Sequence, residues 1–432
     1  MSKTVKRREL LKNAMILGAG GLLSPAPRLY GAIAGGHTGR LLVQMQVEGG
    51  WDVSSYCDPK ENIPGELEIT SWSRDAETLQ AGNIPFAPFA NNEWFFNKYH
   101  KDMMVINGVD AQTNSHTVGI IHNWSGRNSV GYPTLSAMFA ANNAPEQPLS
   151  YINFGGFSQT GGLIRFTRLD DVNSLRELLI PNQVFWQPDE TWRRQSDIDR
   201  VARYRQRRIE QLKSEVATPR MRDNLEAYEA ALTNRSSLSE FDRYIPTENE
   251  LIQPFEIPQL TWTNLGRQIQ LAVAAFDSGL ASAADLYLGG FDTHQNHDAG
   301  HLQLFNHLNE MIDFFWTEAE QRGLADRITM VIASDFSRTP WYNADNGKDH
   351  WPVGSVIVME KNASWGDRVL GVTDGGQNAV KVNPQTLKED QSGSIIYPKH
   401  VHKALRRYLG LEDTPQDQQF KFLATEDFNF FS

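Results

Sequence analysis

Three short stretches of this chain set acidic residues and histidines at the ends of apolar runs. Gly289-Gly290-Phe291-Asp292-Thr293-His294-Gln295-Asn296-His297 follows the brief run Asp285 to Leu288. Ala333-Ser334-Asp335-Phe336-Ser337-Arg338-Thr339-Pro340 ends the run Ile328 to Ala333 and is closed by Lys348-Asp349-His350-Trp351. Val47-Glu48-Gly49-Gly50-Trp51-Asp52 ends the run Leu41 to Val47. Apolar runs of this length that break into glycine or polar turns read as buried strands. Carboxylates and imidazoles at the ends of several strands of one sheet meet in the crevice outside its carboxyl edge. The physical reason to gather them is a divalent cation, because Asp oxygens and neutral His nitrogens suit zinc, manganese or iron, and an oxygen-rich set suits calcium. The candidate ligands are Asp52, Asp292, Asp335 and His350, with His294 or His297 as a further nitrogen. On extended chain Asp292 and His294 point the same way, whereas His297 needs a turn. Taken singly, each of these residues reads equally well as a loop residue capping a helix.

A second polar turn carries a hydroxyl. Thr113-Asn114-Ser115-His116-Thr117-Val118-Gly119 follows the apolar run Met103 to Val109 and leads to Trp124-Ser125-Gly126-Arg127. Ser115 stands where a following helix aims backbone N–H groups at an anion, and a hydroxyl beside a metal or base can act as a nucleophile. The same position suits an N-cap. Arg127 and Arg338 are candidates to clamp phosphoryl or sulfuryl oxygens through a planar guanidinium.

The elements that must position these residues are legible in outline. Leu41 to Val47, Met103 to Val109, Tyr151 to Phe154, Asp285 to Leu288, Ile328 to Ala333 and Ser355 to Met359 are expected strands, and Leu67 to Ile69 a further short one. Leu265, Ile269, Ala272, Val273 and Phe276 recur at helical spacing, as do Leu304, Leu308, Met311, Ile312, Phe315 and Ala319. Both periods predict core-facing helices, and the second places the Asp292 stretch in a strand-to-helix loop. Thr134 to Ala141 and Lys399 to Leu409 are shorter helices. Residues 53 to 92, rich in Pro, Gly, Asn and Ser, read as a long excursion that shapes the site. Asp189 to Val216 is charged and lacks an apolar stripe, so about residues 186–245 read as a helical insertion lying over the core. Strands alternating with helices predict an α/β fold, a three-layer α/β/α sandwich with a mostly parallel sheet.

Composition bounds the function. A formal charge of −11 argues against nucleic acid as the main partner, because phosphate backbones require a basic surface. The one cysteine, Cys57, excludes an intramolecular disulfide and a thiolate cluster. Lys6-Arg7-Arg8-Glu9-Leu10-Leu11-Lys12, a mildly apolar run from Ala14 to Leu23 and Ala32-Ile33-Ala34 follow the order of an export signal with a cleavage site before Gly35. The paired arginines are similar to a twin-arginine signal, which exports folded proteins. No later run approaches the length of a membrane span. Residues 1–34 are therefore expected to be a signal and residues 35–432 one domain in the periplasm or outside the cell.

The combination Phe291-Asp292-Thr293-His294 with Ser334-Asp335-Phe336-Ser337-Arg338-Thr339-Pro340, together with Leu41 to Asp52 and Asn107 to Ala140, resembles the DUF1501 family. That family is exported, of largely unassigned function, and related to the alkaline phosphatase and sulfatase superfamily. The resemblance implies an alkaline-phosphatase-like domain with two metals between strand ends. One metal would take Asp52, the Ser115 hydroxyl and Asp335, but Phe336 stands where the superfamily has a histidine. The other would take Asp292 and His350, with Asn296 where a further histidine is expected and His294 or His297 beside it. It also implies the function expected here, a metal-dependent hydrolase of phosphate or sulfate esters acting on an anionic small molecule or a glycan ester. The alternative is a secreted binding or assembly protein that keeps the fold and a structural metal without catalysis.

Overall fold

The computed structural model describes residues 35–169 and 235–432 and, between them, 175, 179–180, 183–184, 187–215, 218–219, 221–222, 225–226 and 228–229. The expected export signal lies outside the described residues, as does part of the expected insertion.

Eight strands build the central sheet. In chain order they are β1 (Leu41–Val47), β2 (Met103–Asp110), β3 (Tyr151–Asn153), β4 (Thr167–Arg168), β5 (Ala283–Leu288), β6 (Ile328–Ser334), β7 (Val353–Met359) and β8 (Arg368–Leu370). Across the sheet they run β8-β2-β7-β6-β1-β5-β3-β4. Every neighbouring pair is parallel except the two made by β7, which runs antiparallel to both β6 and β2. Val47 is level with Leu288 on one side and Ser334 on the other, so the loops after β1, β5 and β6 leave the sheet at one edge.

The alternation of side chains along the strands feeds two cores. Leu41, Val43, Met45, Ile328, Met330, Ile332, Met103 and Val105 face one, which is completed by α5 (Leu265–Asp277) and α6 (His297–Gln321). Leu42, Val331, Ala333, Met104, Ile106, Val356 and Val358 face the other, completed by α2 (His116–Ser125), α3 (Leu135–Asn143) and α7 (Pro398–Tyr408). A sheet apolar on both faces must be covered on both, and the result is the expected three-layer α/β/α sandwich. Two glutamines inside β1 are consistent with its full burial because each has partners. Gln44 Oε1 accepts from the Ser136 N–H and hydroxyl at 3.0 and 2.6 Å, and Gln46 bonds the N–H and C=O of Phe157.

The remaining elements are satellites. α1 (Asn92–Tyr99) ends the loop-rich excursion, and α4 (Gln195–Glu215) is a charged helix of which only Ile209 is buried among its described residues. Leu67 to Ile69 is not a strand. The Asn62 side chain takes the place of a pairing strand there, accepting from the Ile69 and Thr70 N–H groups at 2.8 and 3.0 Å and donating to the Thr70 carbonyl at 2.8 Å. Among the described residues no helix is long and apolar enough to cross a membrane.

Candidate metal centre

Four elements deliver side chains to the carboxyl edge of the sheet. The loop between β5 and α6 carries Asp292 and His294. A two-stranded ribbon after β6 pairs Arg338 with His350. α2 begins with His116, and the turn after β6 carries Asp335. The close approach of these loops depends on glycine. Gly49 and Gly50 have φ of 113° and 80°, and a Cβ on Gly49 would meet the Asp292 nitrogen at 2.4 Å.

His350 turns its Nε2 toward those of His116 and His294, and all three rings face Asp292. His350 Nε2 lies 3.1 Å from His116 Nε2, 3.0 Å from His294 Nε2 and 3.3 Å from Asp292 Oδ1. His294 Nε2 is 3.1 Å from Asp292 Oδ1, and His116 Nε2 is 3.5 Å from Asp292 Oδ2. Ligand atoms of His116, Asp292 and His350 all lie within 4.8 Å of one another, as a shared cation requires.

The other ring nitrogens decide what these atoms can be. Nδ1 of His116 faces the Asp335 carboxylate. Nδ1 of His294 is 2.7 Å from Asp349 Oδ1, and Nδ1 of His350 is 2.8 Å from the Asn114 carbonyl. All three partners only accept, so each neutral ring carries its proton on Nδ1 and presents a lone pair at Nε2. Three lone pairs therefore face the Asp292 carboxylate, and those of His116 and His350 lie with it in one compact group. That is repulsive in an empty site and favourable around a cation, and acceptors behind the ligating histidines are the usual way such rings are oriented. Three imidazole nitrogens and one oxygen suit zinc first, with manganese or iron also served.

Neighbouring groups shift the titration of this cluster. The bond to Asp335 raises the His116 pKa despite burial of the ring. Burial pushes the Asp292 carboxyl up, but the Arg338 bond and charge outweigh it and hold Asp292 below the usual carboxylate range. Arg338 itself is fully buried, and burial lowers its pKa while Asp292 partly restores it. Its guanidinium donates to the Gly50, Lys348 and Gly49 carbonyls and, at 2.6 Å, to Asp292 Oδ1. Arg338 holds the Asp292 carboxylate in place, and its charge is already matched inside the protein.

The structure distributes the other expected site residues differently. Asp335 stands behind His116, in a nest formed by the Gly49 and Gly50 N–H groups, the latter 2.6 Å from Oδ1. Asp52 and His297 are buried together away from the converging nitrogens, with His297 Nε2 2.9 Å and Lys348 Nζ 2.8 Å from Asp52 Oδ2. Asp52 also caps the short turn Val53–Ser55. Burial works against its charge, yet Lys348 and His297 hold its carboxyl well below the usual range. Ser115 is the exposed residue preceding α2, and among the described residues its hydroxyl makes no hydrogen bond to the cluster. Arg127 lies past the far end of α2, about 16 Å along the helix from His116. Its Nη2 donates to the Lys421 carbonyl at 2.9 Å and its guanidinium lies over Tyr132 and Phe422. Phe336 packs its ring 4.7 Å from His116 and 4.6 Å from His350, buttressing both. His116 is not among the residues expected from the sequence, where the polar turn reads through its serine, Ser115.

Residues 186–390 match the family described as "Protein of unknown function (DUF1501)", the part of the chain that carries the Phe291–His294 and Ser334–Pro340 motifs. That span includes Asp292, His294, Arg338 and His350 and excludes His116. No curated protein matches the chain. Among solved structures it is similar to the PsFucS1 sulfatase from Pseudoalteromonas sp., at 8% identity over 88% of this chain and 70% of that one with a TM-score of 0.38. It is also similar to the lipoteichoic acid synthase LtaP from Listeria monocytogenes, at 8% identity, 92% and 75% coverage and a TM-score of 0.35. A mutant TAB5 alkaline phosphatase with Mg bound aligns at 9% identity, 77% and 94% coverage and a TM-score of 0.32. Alignments this loose carry no argument about chemistry, which rests on the side chains.

Proposed function

We propose that this chain is a hydrolase of phosphate or sulfate esters built around one divalent metal held by His116, His294, His350 and Asp292. The observation that carries the reading is the convergence of three Nε2 lone pairs on a carboxylate at a solvent-facing edge. The Asp292 and His294 side chains remain 48% and 44% exposed, so a substrate can reach the centre from outside. A metal there supplies Lewis-acid polarisation of an ester oxygen. The chain's own part is orientation. Asp335, Asp349 and the Asn114 carbonyl hold the three rings, and Arg338 fixes the carboxylate. Ser115, one residue from His116 and open to solvent, is the candidate nucleophile, with the N–H groups at the start of α2 facing an incoming anion.

On this reading the substrate is an anionic small molecule or glycan ester, residues 1–34 direct export of the folded protein to the periplasm, and residues 35–432 form one domain with an insertion at about 186–245. The test is elemental analysis of protein purified without added metal, beside turnover on phosphomonoester, phosphodiester and sulfate-ester panels with zinc, manganese or calcium restored. Bound metal with turnover lost in His350→Ala supports the proposal. Absence of metal and turnover overturns it. Metal without turnover on any panel favours a secreted binding protein, a reading supported by the full internal engagement of Arg338 and by the remote Arg127.

A further inference from the structure

Beneath the exposed cluster lies a second, wholly internal set of polar groups. Asp52, His301 and Lys348 are 0% exposed, His297 1% and Thr293 5%. The direction of each hydrogen bond follows from one fixed donor. The Asp52 backbone N–H, 3.1 Å from His301 Nε2, can only donate. A neutral His301 then carries its proton on Nδ1 and gives it to Thr293 Oγ1 at 3.1 Å. Thr293 in turn donates to His297 Nδ1 at 2.7 Å, and His297 Nε2–H returns to Asp52 Oδ2. The ring closes on itself with every group satisfied, and Lys348 Nζ completes it, 2.8 Å from Asp52 Oδ2 and 3.2 Å from Ser54 Oγ.

Thr293 in this ring and Lys348 bound to it are the stems of the two ligand loops. Thr293 lies between Asp292 and His294. Lys348 precedes Asp349, which holds His294, and stands two residues before His350. Their backbones also meet, the Lys348 N–H donating to the Thr293 carbonyl at 3.2 Å. We propose that the buried Asp52–Lys348 pair, acting through Thr293, is a positioning lock that sets the 292–294 and 348–350 loops in ligand-ready geometry before any metal arrives. Asp52 and Lys348 touch neither metal nor substrate. The inference rests on the metal-centre reading for its consequence, but the lock itself concerns only the chain. Replacing both members of a buried pair often leaves stability nearly unchanged, whereas removing one strands the other's charge, so the lock shows in loop geometry and not in net stability.

Hydrogen exchange and zinc binding, measured on the full chain, test this together. In Lys348→Met, amides of residues 292–297 and 348–350 in chelated protein should exchange about tenfold faster or more, while those of Leu41–Val47 keep their protection. The Zn2+ dissociation constant should rise about 10–100-fold, the range seen when an orienting partner of a ligand is lost. Asp52→Asn combined with Lys348→Met removes both charges and serves if the single variant does not fold. Arg406→Met with Asp417→Asn, which removes another buried pair, 3.1 Å apart and outside the centre, should change neither readout. Unchanged exchange at the two loops in a folded variant overturns the lock, and so does equal acceleration of loops and sheet. A wild-type chain that takes up no Zn2+ overturns the metal centre instead, and the exchange result still decides the lock.

Discussion

His116 Nε2 lies 3.5 Å from Asp292 Oδ2, and behind the same ring Nδ1 is bonded to Asp335. One imidazole thus spans two carboxylates that leave the sheet after different strands. Only the outer one faces solvent, so the inner one orients and the outer one is available for coordination.

His116→Ala should therefore lower metal affinity by more than about 100-fold, because a ligand is lost outright. Asp335→Asn should cost less, about 10–100-fold, since the ring stays but loses its orienting acceptor. Calorimetric titration with Zn2+ on both variants gives the order. Equal affinities for His116→Ala and wild type would remove His116 from the centre.

Arg338→Lys should destabilise the fold by about 3 kcal/mol or more. Lysine cannot reproduce the fork that serves three buried carbonyls and Asp292, and each acceptor stranded inside costs about 1–3 kcal/mol. Urea unfolding measures the loss, and a variant as stable as wild type would refute this network.

Ser115→Ala separates two attackers. If the Ser115 hydroxyl is the nucleophile, the variant keeps metal and fold and loses ester turnover. Steady-state assays beside elemental analysis read both. Turnover that survives the change assigns the attack to water.

Asp285 gives a prediction about pH. It is fully buried on β5, where burial pushes its carboxyl up to about 7 against the bonds from Ser136, Tyr151 and Asn153. The folded pKa exceeds the unfolded one, so the folded state retains the proton longer. The associated stability is fully present below about pH 4 and is lost as pH rises through about 7. Each tenfold difference in proton affinity between the folded and unfolded states is worth about 1.4 kcal/mol. Asp285→Asn does not titrate, so its stability relative to wild type should improve from pH 5 through about pH 7 and then level off in urea unfolding. A difference that stays flat across that range would contradict the assignment.

The sheet was largely legible from the sequence because nearly continuous apolar runs such as Leu41 to Val47 and Ile328 to Ala333 read as strands buried on both faces. Asp292 and His350 were legible as loop residues after strands, and the extended-chain argument put His294 beside Asp292, where the structure places it. His297 lies on the first turn of α6 and points inward to Asp52. His116 left a weak signal, a single histidine next to a serine that fits a nucleophile pattern. Its role depends on Asp335, which the sequence places far away. The partner of Asp52 was equally hidden, since nothing local distinguishes a carboxylate awaiting a metal from one already matched by a distant lysine.

The reversed strand β7 has a consequence for how the molecule closes. Within the sheet, β7 separates β2, whose following turn leads to His116, from the half that supplies Asp292 and Asp335, and His350 enters on the chain leading into β7. A cation held by His116, Asp292 and His350 would straddle that seam. It would act as a rivet across the sheet, so that withdrawing it loosens the docking of β2 and β8 before the rest of the domain.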